Sequence, residues 1–185
     1  MKKILLLGSA PYLPEWYAEW GAKYRAEGFK VCPINNAWKV CGDDAFFWFR
    51  SEDFFFIPNT VKPNDKQRES FFEVVRTLDY PFFYDKGRAG GTMILNILCH
   101  LLNHSFFSKV PYFIAIAGSD LMYPDGKVNH FYGSGTPDPM NLGKAFLVDQ
   151  LRIIKMQAEQ MGTSIVNAGG QAESLLPFAR FQIGQ

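Results

Sequence analysis

The sequence predicts an α/β fold, a three-layer sandwich around a mainly parallel sheet, in a single domain over residues 1–185. Three observations carry that expectation. The chain opens strand–helix–strand between residues 3 and 34, a βαβ unit whose two strands run parallel. Short apolar, β-rich runs then recur between segments of helical length. Several of these runs close on glycine or asparagine, residues that end strands and open loops.

Taken in order, residues 3–7 form an apolar strand, and Gly8-Ser9-Ala10-Pro11 is the turn after it. Residues 13–27 read as a helix, with Trp16, Tyr17, Trp20 and Tyr24 at three- and four-residue spacings, and Gly28 as its stop. A second strand at 29–34 closes on Asn35-Asn36. The aromatic run at 45–57 alternates poorly, so 45–49 is taken as a buried strand and 50–53 as a loop. A surface segment at 58–65, a helix at 67–78 and a short strand at 81–84 follow. The glycine-rich turn 87–92 opens a helix at 93–103. Residues 111–117 make a strand of the length and composition of a buried parallel one. The last long helix covers 143–161 and the final strand 164–167, while a tail at 173–181 adds a helical turn.

Composition narrows the function classes. The chain is 48% hydrophobic and 20% charged, the balance of a globular protein with a sizeable core. Formal net charge is +1 with mixed signs throughout, so no basic block exists to neutralise a polymeric nucleic acid. Three cysteines without a CxxC support neither a disulfide scaffold nor a zinc site. The apolar run after Lys2-Lys3 is ended by Gly8 and Pro11, short of a signal-peptide core, and nothing approaches a membrane span. The expected location is cytoplasmic. Aromatics reach 16%, eighteen of them Phe; core packing accounts for most, and part of the 46–56 run would suit a sugar or base.

Candidate chemistry collects in the loops after strands, where open α/β sheets bind ligands. Gly8 and Ser9 stand where a phosphate-cradling turn would be, although neither a GxGxxG nor a Walker pattern is present, and a plain tight turn explains them equally well. Asn35 and Asn36 offer donor and acceptor to a sugar hydroxyl or base edge, or serve as turn residues. Arg88 with Gly90, Gly91 and Thr92 joins a cation to close-approach glycines at a helix start, which suits a phosphate or carboxylate. The loop beginning at Gly118 and Asp120 carries Tyr123, His130 and Tyr132 among glycines and prolines. There His130 fits a general base, and the tyrosine hydroxyls fit donors to a departing phosphate without a metal. His100 and His104 have metal-pair spacing, but Leu101 replaces the Glu of HExxH and no third ligand is near, so no metal site is expected. No GxSxG occurs, and Cys99 lies in an apolar helix, which leaves nucleophilic hydrolysis unsupported.

The order of these segments resembles the bacterial sialyltransferases of glycosyltransferase family 42. Gly8-Ser9-Ala10-Pro11 is similar to that family's G-N-G-P loop, Asn35-Asn36 to its nucleotide-contacting Asn, and Arg88 with Gly90-Gly91 to its R-x-T-S-G turn. The segment Gly118 to Tyr123 resembles G-I-D-F-Y, His130-Phe131-Tyr132-Gly133 resembles H-Y-x-G, and 167–175 is similar to the family's Asn/Ser/Leu stretch. The resemblance implies a Rossmann-like single domain with no cofactor or metal. The donor substrate would be a CMP-linked nucleotide-sugar, and the acceptor a glycan or small molecule. It also implies His130 as base and Tyr123, with Tyr132, at the phosphate. Two departures stand out. Ser9 replaces an Asn, and the short interval from Tyr123 to His130 leaves no room for the family's lid. The acceptor site is therefore expected to be open, or completed by a partner subunit in a homo-oligomer. Two other readings remain at this point. One is a Mg²⁺-dependent pyrophosphokinase of the pterin type, using Asp43-Asp44 or Asp120 and Asp125. The other is a non-catalytic nucleotide-binding protein.

Overall fold

The computed structural model describes residues 1–50, 93–122, 144–169 and 173–184. Five strands form one sheet, all paired parallel: β1 (Lys2–Leu7), β2 (Lys30–Pro33), β3 (Tyr112–Ala117), β4 (Ser164–Asn167) and β5 (Ala179–Arg180). Their spatial order is β2-β1-β3-β4-β5. The register brings Pro33, Leu7 and Ala117 level, with Asn167 and Arg180 level with Ile116, so the segments after all five strands leave one carboxyl edge.

Alternation along the strands divides the core into two faces. Leu5, Leu7, Val31, Ala115 and Ala117 meet Leu13, Trp16, Tyr17 and Tyr24 of α1 (Leu13–Ala26) on one side. On the other, Ile4, Leu6, Cys32, Ile114, Ile116 and Ile165 pack with the two later long helices. The sandwich therefore has three layers, as the sequence predicts. A side chain such as Leu6 or Ile116, fully shut from water, contributes roughly 1.5–3 kcal/mol.

Local chemistry explains the helix limits. Pro14 and Glu15 occupy the first turn of α1 and Lys23 and Arg25 the last, which matches its dipole. Gly28, at φ +84, turns the chain out of the helix. After β2, two 3₁₀ turns flank the one-turn α2 (Trp38–Cys41) and carry the chain back along β2. Then α3 (Met93–Ser108) runs five residues beyond its expected end, and α4 (Lys144–Gln160) matches its prediction closely. The sequence offered no breaker to stop α3 at Asn103. It ends where Lys109 takes a left-handed φ of 56°.

Two expected elements differ. Residues 45–49 are not a ladder strand: only isolated bridges join Val31 to Ala45 and Ile34 to Phe49. Trp48 and Phe49 are buried, whereas Phe46 and Phe47 stay largely exposed, because a continuous aromatic run cannot put every ring on one face. The tail forms β5 instead of a helical turn. Phe181 donates its amide to the Asn167 carbonyl, so the free edge of β4 captures the segment after Pro177. The segments expected at 58–65, 67–78, 81–84 and 87–92 lie outside the described residues. No helix among the described residues is long and apolar enough to cross a membrane.

Candidate functional site

The sheet order reverses at β1, whose neighbours β2 and β3 lie on opposite sides of it. In open parallel sheets the crevice at such a switch point is where ligands bind. Here the loops after β1 and β3 are zipped together. The Gly8 amide donates to the Ala117 carbonyl at 2.8 Å and the Ala10 amide to the Gly118 carbonyl at 2.9 Å. A side chain on Gly8 would collide with the Gly118 carbonyl and the Ser119 hydroxyl, so glycine permits this close approach. Because those two amides are already engaged, they are not donors to an anion, which narrows what the Gly8–Pro11 turn offers a phosphate.

Beyond β3 the backbone bends twice through left-handed conformations, at Gly118 (φ +73) and Leu121 (φ +61). Glycine takes this without strain, but for Leu121 it costs about 1–2 kcal/mol. The double bend turns Asp120 inward, leaving it 6% exposed. Its Oδ2 accepts a 2.6 Å hydrogen bond from the Tyr12 hydroxyl, which in turn accepts from the Gly118 amide at 3.1 Å. The polarity of this chain is set by protonation. Burial, with the Asp120 carboxylate next in effect, pushes the Tyr12 phenol far above its ordinary range, so Tyr12 remains the donor. The Asp120 carbonyl is held by the Leu175 amide at 3.0 Å. The end of β4 closes the cluster, with the Gly169 amide donating to Asn167 Oδ1 at 2.9 Å.

On the far side of β1, Asn35 adopts φ 47°, the left-handed form that a turn asparagine tolerates. Its amide donates to the Phe49 carbonyl and its carbonyl accepts from Trp48 Nε1, both at 2.8 Å. Asn36 is 1% exposed, and its side-chain Oδ1 is buried without a hydrogen-bond partner. Asp120 Oδ1 is in the same state. Such atoms are rare in folded proteins, and each calls for a reason.

The structure thus gathers Gly8, Ser9, Gly118 and Asp120 at the β1–β3 junction and sets Asn35 and Asn36 across β1 from them. Arg88, Gly90, Gly91, Thr92, Tyr123, His130 and Tyr132 lie outside the described residues. His104 sits elsewhere: its Nδ1 is 2.8 Å from the hydroxyl of Tyr112, the residue that starts β3, so the histidine is at the opposite, amino edge. Among the described residues no group of three or more His, Cys, Asp or Glu side chains is placed to hold a metal. Asp44 accepts from Tyr17 at 3.0 Å and pairs with Arg25, which ties it to α1.

Sequence reasoning missed Tyr12 and Gly169. Tyr12 caps α1 at a position where Ser, Asp or Asn is usual, and nothing local links it to Asp120. Gly169 was one glycine of a pair. No family model matches the chain, and neither a curated protein nor a solved structure matches it.

Proposed function

We propose that the protein is a glycosyltransferase that takes a CMP-linked sugar as donor and a glycan or small molecule as acceptor, without a metal. The observation that carries the reading is the pair of buried, unpartnered acceptor oxygens, Asn36 Oδ1 and Asp120 Oδ1, which flank the β1 turn at the switch point. An edge that leaves two acceptors unsatisfied suits a ligand with several hydroxyl and amine donors, as a nucleotide-sugar has. The strained Leu121 beside Asp120 supports the same edge, since such strain gathers at ligand sites.

In this reading the nucleotide lies across the β2, β1 and β3 termini. Arg88 and the Gly90-Gly91-Thr92 turn meet its phosphate. The glycosidic carbon–oxygen bond breaks, and CMP leaves with the electron pair. Tyr123 and Tyr132 donate hydrogen bonds to the phosphate as it departs. The acceptor oxygen bonds to the sugar carbon, and His130 takes its proton. These roles come from the resemblance of the loop sequences to family 42.

Thermal shift with CMP, AMP, GMP and UMP, each with and without EDTA, tests the reading. A native-state ligand raises the melting temperature by mass action. The expected result is a shift selective for CMP and indifferent to EDTA. Transfer from a CMP-sugar should then be abolished in His130→Ala while CMP still binds. A shift seen only with ATP and Mg²⁺ would replace this function by a kinase, and no shift with any nucleotide would remove it.

A further inference from the structure

We propose that Asp120 is a ligand-binding carboxylate whose Oδ1 accepts a hydrogen bond from a sugar-ring hydroxyl, and that Tyr12 is its positioning residue. The inference rests on the function proposed above and names two contacts within that site. Asp120 is more than nine-tenths buried, and the Tyr12 hydroxyl engages only Oδ2. The Gly118 amide fixes that hydroxyl from behind, so the carboxylate cannot swing to satisfy its other oxygen without losing Tyr12. Oδ1 is left without a partner. Burying half a carboxylate unsatisfied is costly to the fold, and the bond to Tyr12 uses only one of its two oxygens. Buried Ser105, Thr163 and Asn167 all have partners, whereas Asn36 Oδ1, at the same edge, and Gln157 Oε1, on α4, share the state of Asp120 Oδ1.

The chemistry of the missing donor follows from its surroundings. Arg180 already places positive charge near enough to Tyr12 to hold its phenol lower than burial alone would. Arg180 is itself exposed, whereas a cation brought onto the buried Oδ1 would meet that charge and bear a desolvation cost that Arg180 does not. A neutral hydroxyl meets neither obstacle and still makes a charge-assisted hydrogen bond. On a strand end at the switch point, the hydroxyl-bearing group of a nucleotide-sugar is the ribose or the transferred sugar.

Gly169 supports the arrangement independently. Its φ lies outside the left-handed region, so backbone conformation does not require glycine. A Cβ there would collide with the Tyr12 hydroxyl and stand 3.3 Å from Asp120 Oδ1. The glycine keeps space open around this one hydrogen bond.

The test compares wild type with Asp120→Asn and Tyr12→Phe by calorimetric titration. The probes are CMP, 2′,3′-dideoxy-CMP and CMP-N-acetylneuraminate, with melting temperatures of the ligand-free proteins alongside. Wild type should prefer a hydroxylated probe about tenfold or more, the range a hydrogen bond to a charged group supplies. If the ribose is the partner, the CMP against dideoxy-CMP contrast shrinks in both variants, in Asp120→Asn toward the roughly two- to tenfold that a neutral acceptor supplies. If the transferred sugar is, the CMP-sugar against CMP contrast shrinks instead. Ligand-free Asp120→Asn should melt at or above wild type, because a neutral amide is cheaper to bury than a half-satisfied carboxylate. Contrasts unchanged in both variants would overturn the inference while leaving nucleotide binding intact. So would Asp120→Asn melting lower with its contrasts unchanged, which would make Asp120 structural. Wild type binding no probe at all would instead overturn the proposed function, and this inference with it.

Discussion

Tyr12 and Gly169 meet at the carboxyl edge so closely that any side chain at 169 would collide with the Tyr12 hydroxyl. That hydroxyl joins the N-cap of α1 to Asp120, across 108 residues of chain. Gly169→Ala should therefore cost about 2–4 kcal/mol, by overpacking and by loss of the Tyr12–Asp120 hydrogen bond. Gly28→Ala is the control. Its φ is +84 with open space around it, so it should cost only the backbone strain of about 1–2 kcal/mol. Urea midpoints measure both, and equal costs would mean that the edge yields to a methyl group.

A second buried polar junction holds the amino edge. Thr163 Oγ1 accepts from the Tyr112 amide at 3.0 Å and lies 3.2 Å from Ser105 Oγ, which reaches the Val110 carbonyl at 2.9 Å. Thr163→Val keeps the shape but strands a buried amide, so a loss of about 1–3 kcal/mol is expected. Ser105→Ala should cost less, about 0.5–1.5 kcal/mol. Because the two hydroxyls touch, the double variant should lose less than the sum of the singles. Strict additivity in denaturation would show that they act separately.

Stability should decline on mild acidification. Burial, and then the neighbouring His104, lowers the pKa of His100 below its ordinary value. The unfolded chain then binds the proton more tightly, so stability rises with pH where the two states differ. That contribution is whole above the unfolded value near 6.5 and is lost as pH falls through the lowered folded value. His100→Gln should flatten this part of a urea-midpoint profile between pH 7 and pH 5. An unchanged slope would assign the dependence to other groups.

The three cysteines should be silent in the native protein. Cys32, Cys41 and Cys99 are all buried, and burial pushes each thiol up to about 12. With almost no thiolate at neutral pH, alkylation requires opening of the fold. Mass spectrometry after brief iodoacetamide treatment at pH 8 should find no adducts without denaturant and three with it. A single fast adduct in the native state would reveal a locally open segment around that cysteine.

Much of the architecture was legible because it follows from short-range patterns. The apolar runs of β1, β2, β3 and β4 and the helical spacing in α1 are local signals, as is the glycine that stops that helix. The βαβ opening dictates parallel pairing by chain handedness. The aromatic run at 45–49 and the tail resisted, because neither carries a period. Trp48 and Phe49 are covered by folding back along β2, and 179–180 become a strand only because β4 presents an unpaired edge.

The candidate site divides the same way. By itself the sequence determined which loops leave the strands and which polar residues they carry: Gly8, Asn35, Asn36, Gly118 and Asp120. Only the tertiary structure decided what those residues do to one another. It spent the Gly8 and Ala10 amides on β3, turned Asp120 inward through a left-handed Leu121, and brought Tyr12 onto one carboxylate oxygen while leaving the other bare. The physical reason is range. Strand and helix periodicity is written within a few residues, whereas a hydrogen bond between Tyr12 and Asp120 exists only once parallel pairing has brought two distant strand ends to the same edge.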